Sequence, residues 1–115
     1  MAEQAFCIHA HFYQPPREDS ILGKIPSEPG AYPFNNWNER IHDRCYQPNA
    51  ALGNFEHISF DIGPTLINWM EDYDPTVKAA IIAQEFTNVR HYGVGNGMAH
   101  AYHHTILPLA SFFGP

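Results

Sequence analysis

Residues 57–66, His-Ile-Ser-Phe-Asp-Ile-Gly-Pro-Thr-Leu, indicate the fold class of this chain. Ile58, Phe60 and Ile62 alternate with other residues, and an apolar period of two is typical of a β-strand. A Gly-Pro pair follows at once, and proline at the first helical position is preorganised to begin a helix. The stretch therefore predicts a strand that passes directly into a helix.

The same alternation of strand and helix extends to both sides. Residues 5–13 alternate apolar and polar side chains and predict a first strand. Residues 38–46 predict a short helix that Pro48 ends, and an Asp-Pro pair at 74–75 predicts another helix that ends at Gly93. Strands separated by helices favour an α/β fold with parallel strands and outer helices.

The length limits how much of such a fold the chain can complete. Its 115 residues allow one domain, spanning residues 1–115. Parallel sheets need cover on both faces, and a closed barrel of this kind needs about 250 residues. We therefore expect the N-terminal part of a larger (β/α) barrel, incomplete by itself.

Composition and charge exclude several classes of partner. The net charge is −6 and only six residues are Lys or Arg, too few to follow a phosphate backbone or an anionic membrane. No apolar run approaches the ~20 residues of a membrane span, and the N-terminus lacks the pattern of a signal peptide. The sequence thus predicts a cytoplasmic protein. Its many His, Tyr, Trp and Asn residues suit a neutral polar ligand.

The first group of candidate site residues is His9 and His11. Residues two apart on a strand point to the same side, so both imidazoles face one direction. Three interpretations stay open: two His satisfied by neighbours in a polar barrel interior, contacts to sugar hydroxyls, or metal ligation. A metal would need a further ligand, for which Asp61 is a candidate.

Two further groups contain potential sugar-binding side chains. In one interpretation, Trp37 is a core residue, Asn38 is a helix cap and Glu39 forms a solvated ion pair. In the other, the three side chains recognise a sugar. His103 and His104 are adjacent, so they cannot share a face. We expect His104 to point to the site and His103 to point away from it.

Residues 9–18, His-Ala-His-Phe-Tyr-Gln-Pro-Pro-Arg-Glu, resemble the first motif of glycoside hydrolase family 57. The resemblance is closest to the bacterial family-57-related proteins that share this longer form of the motif. Segments 37–41, 58–66 and 102–110 agree with the same subgroup. The four ordered motifs are spread over nearly the whole chain, from residue 9 to residue 110.

The resemblance implies an irregular (β/α)7 barrel that hydrolyses or transfers α-glucosidic bonds with retention. It implies no metal and no organic cofactor, because a Glu nucleophile and an Asp acid/base perform the double displacement. In the family both carboxylates lie downstream of the Ile-Leu-Pro segment at 106–108. We therefore expect this chain to end before them and to be inactive alone, with the remainder of its own barrel as its partner.

The implied ligand is an oligo- or polysaccharide. Residues from all three groups, together with Gln14 of the first motif, are expected to contact it. The expected sugar-binding residues are His9, His11, Gln14, Trp37, Asn38, Glu39 and His104. Two alternatives remain: a metal-dependent hydrolase such as a polysaccharide deacetylase, with zinc on His9 and His11, and a non-catalytic carbohydrate-binding fragment.

Overall fold

The computed structural model describes residues 2–111 as a mixed α/β structure with an open sheet. The main elements are β1 (His9–Phe12), α1 (Trp37–Ile41), a π-helical turn (His42–Tyr46), α2 (Gln47–Ala51), β2 (Ser59–Ile62), α3 (Pro64–Tyr73) and α4 (Pro75–Tyr92). The segments from α1 to α2 are continuous, so the described residues form three helices. The two strands pair in parallel, and the predicted class is confirmed. None of these helices is long and apolar enough to cross a membrane.

Both strands are shorter than the sequence pattern predicted. His9 pairs with Ser59 and Phe12 with Ile62, which leaves residues 5–8 outside the ladder. The residues just before β2 prevent the ladder from extending further. Asn54–Glu56 forms a 3₁₀ turn, and the N–H groups of residues 57 and 58 donate to the Asn54 carbonyl instead of pairing with β1. The predicted strand bounds, 5–13 and 57–62, were therefore too wide.

The sheet has one apolar face and one polar face. The register places Ala10, Phe12 and Phe60 on the apolar side, against the helices. The core consists of Phe12, Tyr46, Ala50, Phe55, Phe60, Leu66, Met70, Val77 and Ile81. Burying an aliphatic or phenylalanine side chain contributes about 1.5–3 kcal/mol, so this face holds the helices on the strands. The other face is left to polar side chains.

The first helix begins at Trp37, one residue before the predicted start, and continues past Pro48. Asn36 caps it, and its Oδ1 accepts a hydrogen bond from the Glu39 N–H at 3.0 Å. A proline inside an α-helix removes a donor and clashes with the carbonyl four residues earlier. Here the N–H of Gln47 bonds to His42 O, five residues back, and this wider turn places Pro48 in the first turn of α2. The predicted helix end was therefore wrong.

Helices α3 and α4 begin at Pro64 and Pro75, as the two proline signals predicted. Asp74 caps α4 through its Oδ1, which accepts from the Val77 N–H at 3.3 Å. The helix ends before Gly93, whose φ of 78° lies in the left-handed region that glycine adopts without steric cost.

The glycine-rich segment after α4 lies against β2 rather than forming only a turn. Phe60 donates to Asn96 O at 3.1 Å and accepts from the Met98 N–H at 2.7 Å, which makes a parallel bridge between Phe60 and Gly97. Glu85 of α4 fixes the segment, because its carboxylate accepts from the Asn96 and Gly97 N–H groups, each at 2.9 Å. β2 therefore lies between β1 and this segment.

Candidate functional site

A carboxylate lies between two imidazoles on the polar face of the sheet. The register sets His11 beside Asp61, and His9 beside Ser59. His9 Nε2 donates to Asp61 Oδ2 at 2.9 Å, and His11 Nδ1 donates to Asp61 Oδ1. The Ser59 hydroxyl lies 2.8 Å from His9 Nδ1. The prediction that His9 and His11 share one face is thus confirmed.

His104 joins this group from the other end of the chain. Its Nε2 lies 2.8 Å from His11 Nε2, and its ring stacks on Tyr13 with 3.7 Å between ring centres. The φ of His104 is 57°, a left-handed conformation that costs a non-glycine residue about 1–2 kcal/mol. The contacts to Tyr13 and His11 hold it there. We call His9, His11, Asp61 and His104 the His-Asp cluster.

The electrostatics keep Asp61 ionised. Burial by itself raises the pKa of Asp61, but the hydrogen bonds from His9 and His11 outweigh it and leave the pKa below 3.8. An ionised carboxylate only accepts hydrogen bonds, so it holds one proton on His9 Nε2 and one on His11 Nδ1. When His11 is neutral, its Nε2 therefore accepts from His104. The His9 and His11 side chains are 43% and 46% exposed, so a ligand can reach them.

Gln14 and Asn38 belong to a different, buried group centred on Arg17. The Arg17 guanidinium donates to Gln14 Oε1 at 2.5 Å and to Asn38 Oδ1 at 2.6 Å. Gln14 Nε2 donates to the Tyr46 hydroxyl at 2.7 Å, and burial raises the pKa of Tyr46. We call Gln14, Arg17, Asn38 and Tyr46 the Arg17 network.

Trp37 and Glu39 stand at the start of α1, next to the Arg17 network. The Trp37 N–H donates to Glu28 Oε1 at 3.1 Å, and the same oxygen lies 3.7 Å from Arg17 Nε. Glu39 Oε2 accepts from the Asn35 N–H at 3.1 Å. Within residues 2–111, no hydrogen bond or ring contact joins Trp37 or Glu39 to the His-Asp cluster.

The seven predicted residues therefore fall into three places. His9, His11 and His104 meet in the cluster, Gln14 and Asn38 are buried in the network, and Trp37 and Glu39 begin α1. Sequence reasoning did not single out Arg17, Tyr13 or Tyr46. For Arg17 a signal existed: it is one of six basic residues in the chain and directly follows the proline pair after β1.

A cleft and a smaller hollow lie along α3. The cleft, about 750 Å³ in volume, is lined by Glu18, Gly23, Lys24, Ile25, Asn36, Glu39, Thr65, Asn68, Trp69, Asp72 and Tyr73. The hollow, about 150 Å³, is lined by Tyr13, Pro16, Pro64, Thr65, Asn68, Tyr102 and His103. We call them the α3 cleft and the Tyr13 hollow. They share Thr65 and Asn68.

In the part of the chain that the structure describes, no three His, Cys, Asp or Glu side chains are arranged to hold a metal ion. The His9 and His11 nitrogens that face Asp61 are occupied by hydrogen bonds to it. Comparison with protein-family models, with curated proteins and with solved structures gives no match for this chain.

Proposed function

We propose that this chain is the opening, sugar-binding part of a glycoside hydrolase barrel similar to family 57, and that its His-Asp cluster contacts the hydroxyl groups of an α-glucan. The supporting observation is the convergence of half-exposed imidazoles on one ionised carboxylate, on the polar face of two parallel strands. His9 begins β1, whereas His11 and Asp61 lie one residue before the carboxyl ends of their strands. Ligands of barrels and open α/β sheets bind at that end of the strands.

The chemistry of the cluster suits a neutral polyol. Two ring nitrogens face exposed partners, His9 Nδ1 toward Ser59 and His11 Nε2 toward His104, and at each of them a sugar hydroxyl can take the partner's place because a hydroxyl both donates and accepts. Asp61 is 7% exposed and holds the two imidazoles in place through both of its oxygens. The strained backbone of His104 is also consistent with a binding role, because such strain concentrates at ligand sites.

The Arg17 network stabilises the chain segment that follows β1, next to this site. Gln14 and Asn38 are 7% and 2% exposed, and their carbonyl oxygens are occupied by Arg17. In this proposal they hold the segment after β1 in place. Trp37 and Glu39 fix the start of α1, and Glu39 reaches the α3 cleft.

The proposal predicts binding without turnover. Retaining hydrolysis needs two carboxyl groups, one of them able to deliver a proton. The lowered pKa of Asp61 makes it an acceptor at neutral pH rather than a proton donor. Release of reducing sugar from starch by this chain, abolished in Asp61→Asn, would overturn this part of the proposal.

Titration calorimetry with maltoheptaose tests the binding site. We expect the full chain to bind, and His11→Ala to weaken binding at least about ten-fold, equal to about 1.4 kcal/mol. His57→Ala is the matched control, because His57 is exposed and precedes β2, away from the cluster. It should bind as the wild type does. Equal binding by His11→Ala would contradict the assigned site.

Treatment with EDTA separates the sugar site from the metal-hydrolase alternative. We expect maltoheptaose affinity to stay unchanged after dialysis against the chelator, because hydrogen bonding by His9 and His11 needs no metal. Loss of binding on dialysis and its recovery with zinc would overturn the sugar-contact assignment and favour a metal-dependent hydrolase.

A further inference from the structure

The His-Asp cluster, the Tyr13 hollow and the α3 cleft follow one another along the surface. Tyr13 contacts the cluster through its stack on His104 and also lines the hollow. Thr65 and Asn68 then line both the hollow and the cleft. Shared wall residues therefore connect the three places into one track that starts on the polar face of β1 and β2 and runs beside α3.

Aromatic rings line two parts of this track, the Tyr13 hollow and the α3 cleft. Tyr13 and Tyr102 line the hollow, and Trp69 stacks on Tyr73 in the cleft with 4.5 Å between ring centres. Tyr73 is 48% exposed, so part of that ring pair is open to a ligand. Ring faces of this kind pack against the apolar face of a sugar, while a phenol hydroxyl can still hydrogen-bond.

Hydrogen-bonding groups of the cleft are left available by the fold. Asn36 is 5% exposed and caps α1 through its Oδ1, whereas its amide nitrogen makes no hydrogen bond within residues 2–111. Asn68 is exposed, and Asp72 makes no ion pair in the same part of the chain. The Asn36 amide and the Asn68 and Asp72 side chains can therefore hydrogen-bond a ligand in the cleft.

The charge of the cleft narrows the class of ligand. Glu18, Glu39 and Asp72 line it against a single basic residue, Lys24, so an anionic polymer would be repelled. Burial raises the pKa of the Tyr73 phenol, and the charges of Glu39 and Asp74 raise it further. A neutral polymer of hydroxyl-rich units can contact the amides, carboxylates and rings of the cleft without electrostatic repulsion.

We infer that the α3 cleft is a remote subsite for an extended, neutral α-glucan whose other end lies at the His-Asp cluster. This inference rests on the proposed function and adds to it a preference for long chains. The cleft volume of about 750 Å³ lies within the range of sites that enclose drug-sized ligands, about 300–1,000 Å³. Affinity should therefore increase with chain length, because only a long ligand reaches both ends of the track.

The test compares maltose with maltoheptaose on the full chain by titration calorimetry. We expect maltoheptaose to bind at least about ten-fold tighter than maltose, and Trp69→Ala to remove most of that difference without weakening maltose. Tyr92→Ala is the matched aromatic control, because this exposed ring lies at the end of α4, outside the track. It should keep the full length preference.

A second variant keeps the test valid if Trp69→Ala disturbs the helix. Trp69 packs its ring against His42, so its removal could unfold part of the chain, which circular dichroism would detect. Asn68→Ala changes an exposed residue that lines both hollow and cleft. We expect it to reduce maltoheptaose affinity about three- to ten-fold, the effect of losing one or two hydrogen bonds.

The outcomes separate this inference from the proposed function. Failure of both sugars to bind would overturn the two together. Equal affinity for both sugars, or a length preference unchanged in Asn68→Ala and in folded Trp69→Ala, would overturn the remote subsite and leave the cluster assignment standing. Binding of spermidine that Asp72→Asn abolishes, with no length preference among sugars, would assign the cleft to a cation and overturn the inference.

Discussion

The His-Asp cluster and the Arg17 network are both groups of hydrogen-bonded polar side chains, but they differ in how far those side chains are exposed. In the cluster, His9 and His11 keep 43% and 46% of their side chains exposed. In the network, Gln14 and Asn38 are 7% and 2% exposed as whole residues, comparable to Asp61 of the cluster at 7%. Both regions contain residues expected to bind sugar. The comparison shows that exposure, rather than the presence of a hydrogen-bond partner, separates the side chains that a ligand can reach from those that it cannot.

The energetic roles of the two regions follow from this difference. A buried polar group that loses its partner costs about 1–3 kcal/mol, whereas an exposed one turns to water. Arg17 satisfies two buried acceptors at once, so the network should matter most for stability. The cluster should contribute less to the free energy of unfolding, and its half-exposed imidazoles can be reached by a ligand. Three predictions test this distinction, in order of expected effect.

Arg17→Ala should cause the largest loss of stability. It leaves Gln14 Oε1 and Asn38 Oδ1 buried without their donor, so we expect the free energy of unfolding to fall by about 2–4 kcal/mol. Urea denaturation measures it. Arg44→Ala is the control, because Arg44 forms an exposed ion pair with Asp43 and should change stability by no more than about 0.5 kcal/mol. Equal effects of the two variants would show that the buried Arg17 network contributes no more to stability than an exposed ion pair does.

The acid dependence of stability should show a smaller contribution from Asp61. Its pKa in the folded chain lies below 3.8, so on acidification the unfolded chain takes up the proton first. The contribution is therefore complete well above pH 3.8 and is lost as pH falls through the lower folded value. We expect it to amount to about 1 kcal/mol, since the half-exposed imidazoles are screened by solvent.

Urea denaturation at a series of pH values from about 6 down to 2 measures this contribution. Asp61→Asn should flatten the decrease of stability below the normal carboxyl pKa of 3.8. Asp72→Asn, an exposed carboxylate of the α3 cleft, should retain the slope of the wild type. The same slope in Asp61→Asn and the wild type would show that the imidazoles do not stabilise the ionised form.

His11→Ala should have the smallest effect on stability. Its ring is 46% exposed, and water can replace its hydrogen bonds to Asp61 and His104. We expect a loss of less than about 1 kcal/mol by urea denaturation, together with the loss of sugar binding described above. A destabilisation as large as that of Arg17→Ala would mean that the cluster is part of the structural framework.

Local signals in the sequence accounted for much of the fold. The helices that begin at Pro64 and Pro75 were predicted because proline at a helix start and glycine after its end act over a few residues. The prediction failed at Pro48, since the π-helical turn that accommodates it depends on packing of the whole segment. The strand lengths were also too great, because a strand ends where its distant partner ends.

The division of the candidate site was beyond the sequence for a similar reason. Arg17 meets Asn38 from 21 residues away, and His11 meets His104 from 93 residues away. Alternation alone places His9 and His11 on one face but does not tell which polar atoms find partners. Burial of Gln14 and Asn38 follows from tertiary packing, and so does the ionised state of Asp61.

Because the glycine-rich segment is hydrogen-bonded to the Glu85 carboxylate, the residues that are allowed at position 95 depend on the residue at position 85. A methyl group at Gly95 would occupy the space of Glu85 Oε1 and displace it from the Asn96 and Gly97 N–H groups. In a randomised library, larger residues at position 95 should therefore survive selection for folding chiefly when position 85 carries a shorter side chain. Covariation between positions 85 and 95 in the selected sequences would show that this hydrogen-bonded loop restricts both positions.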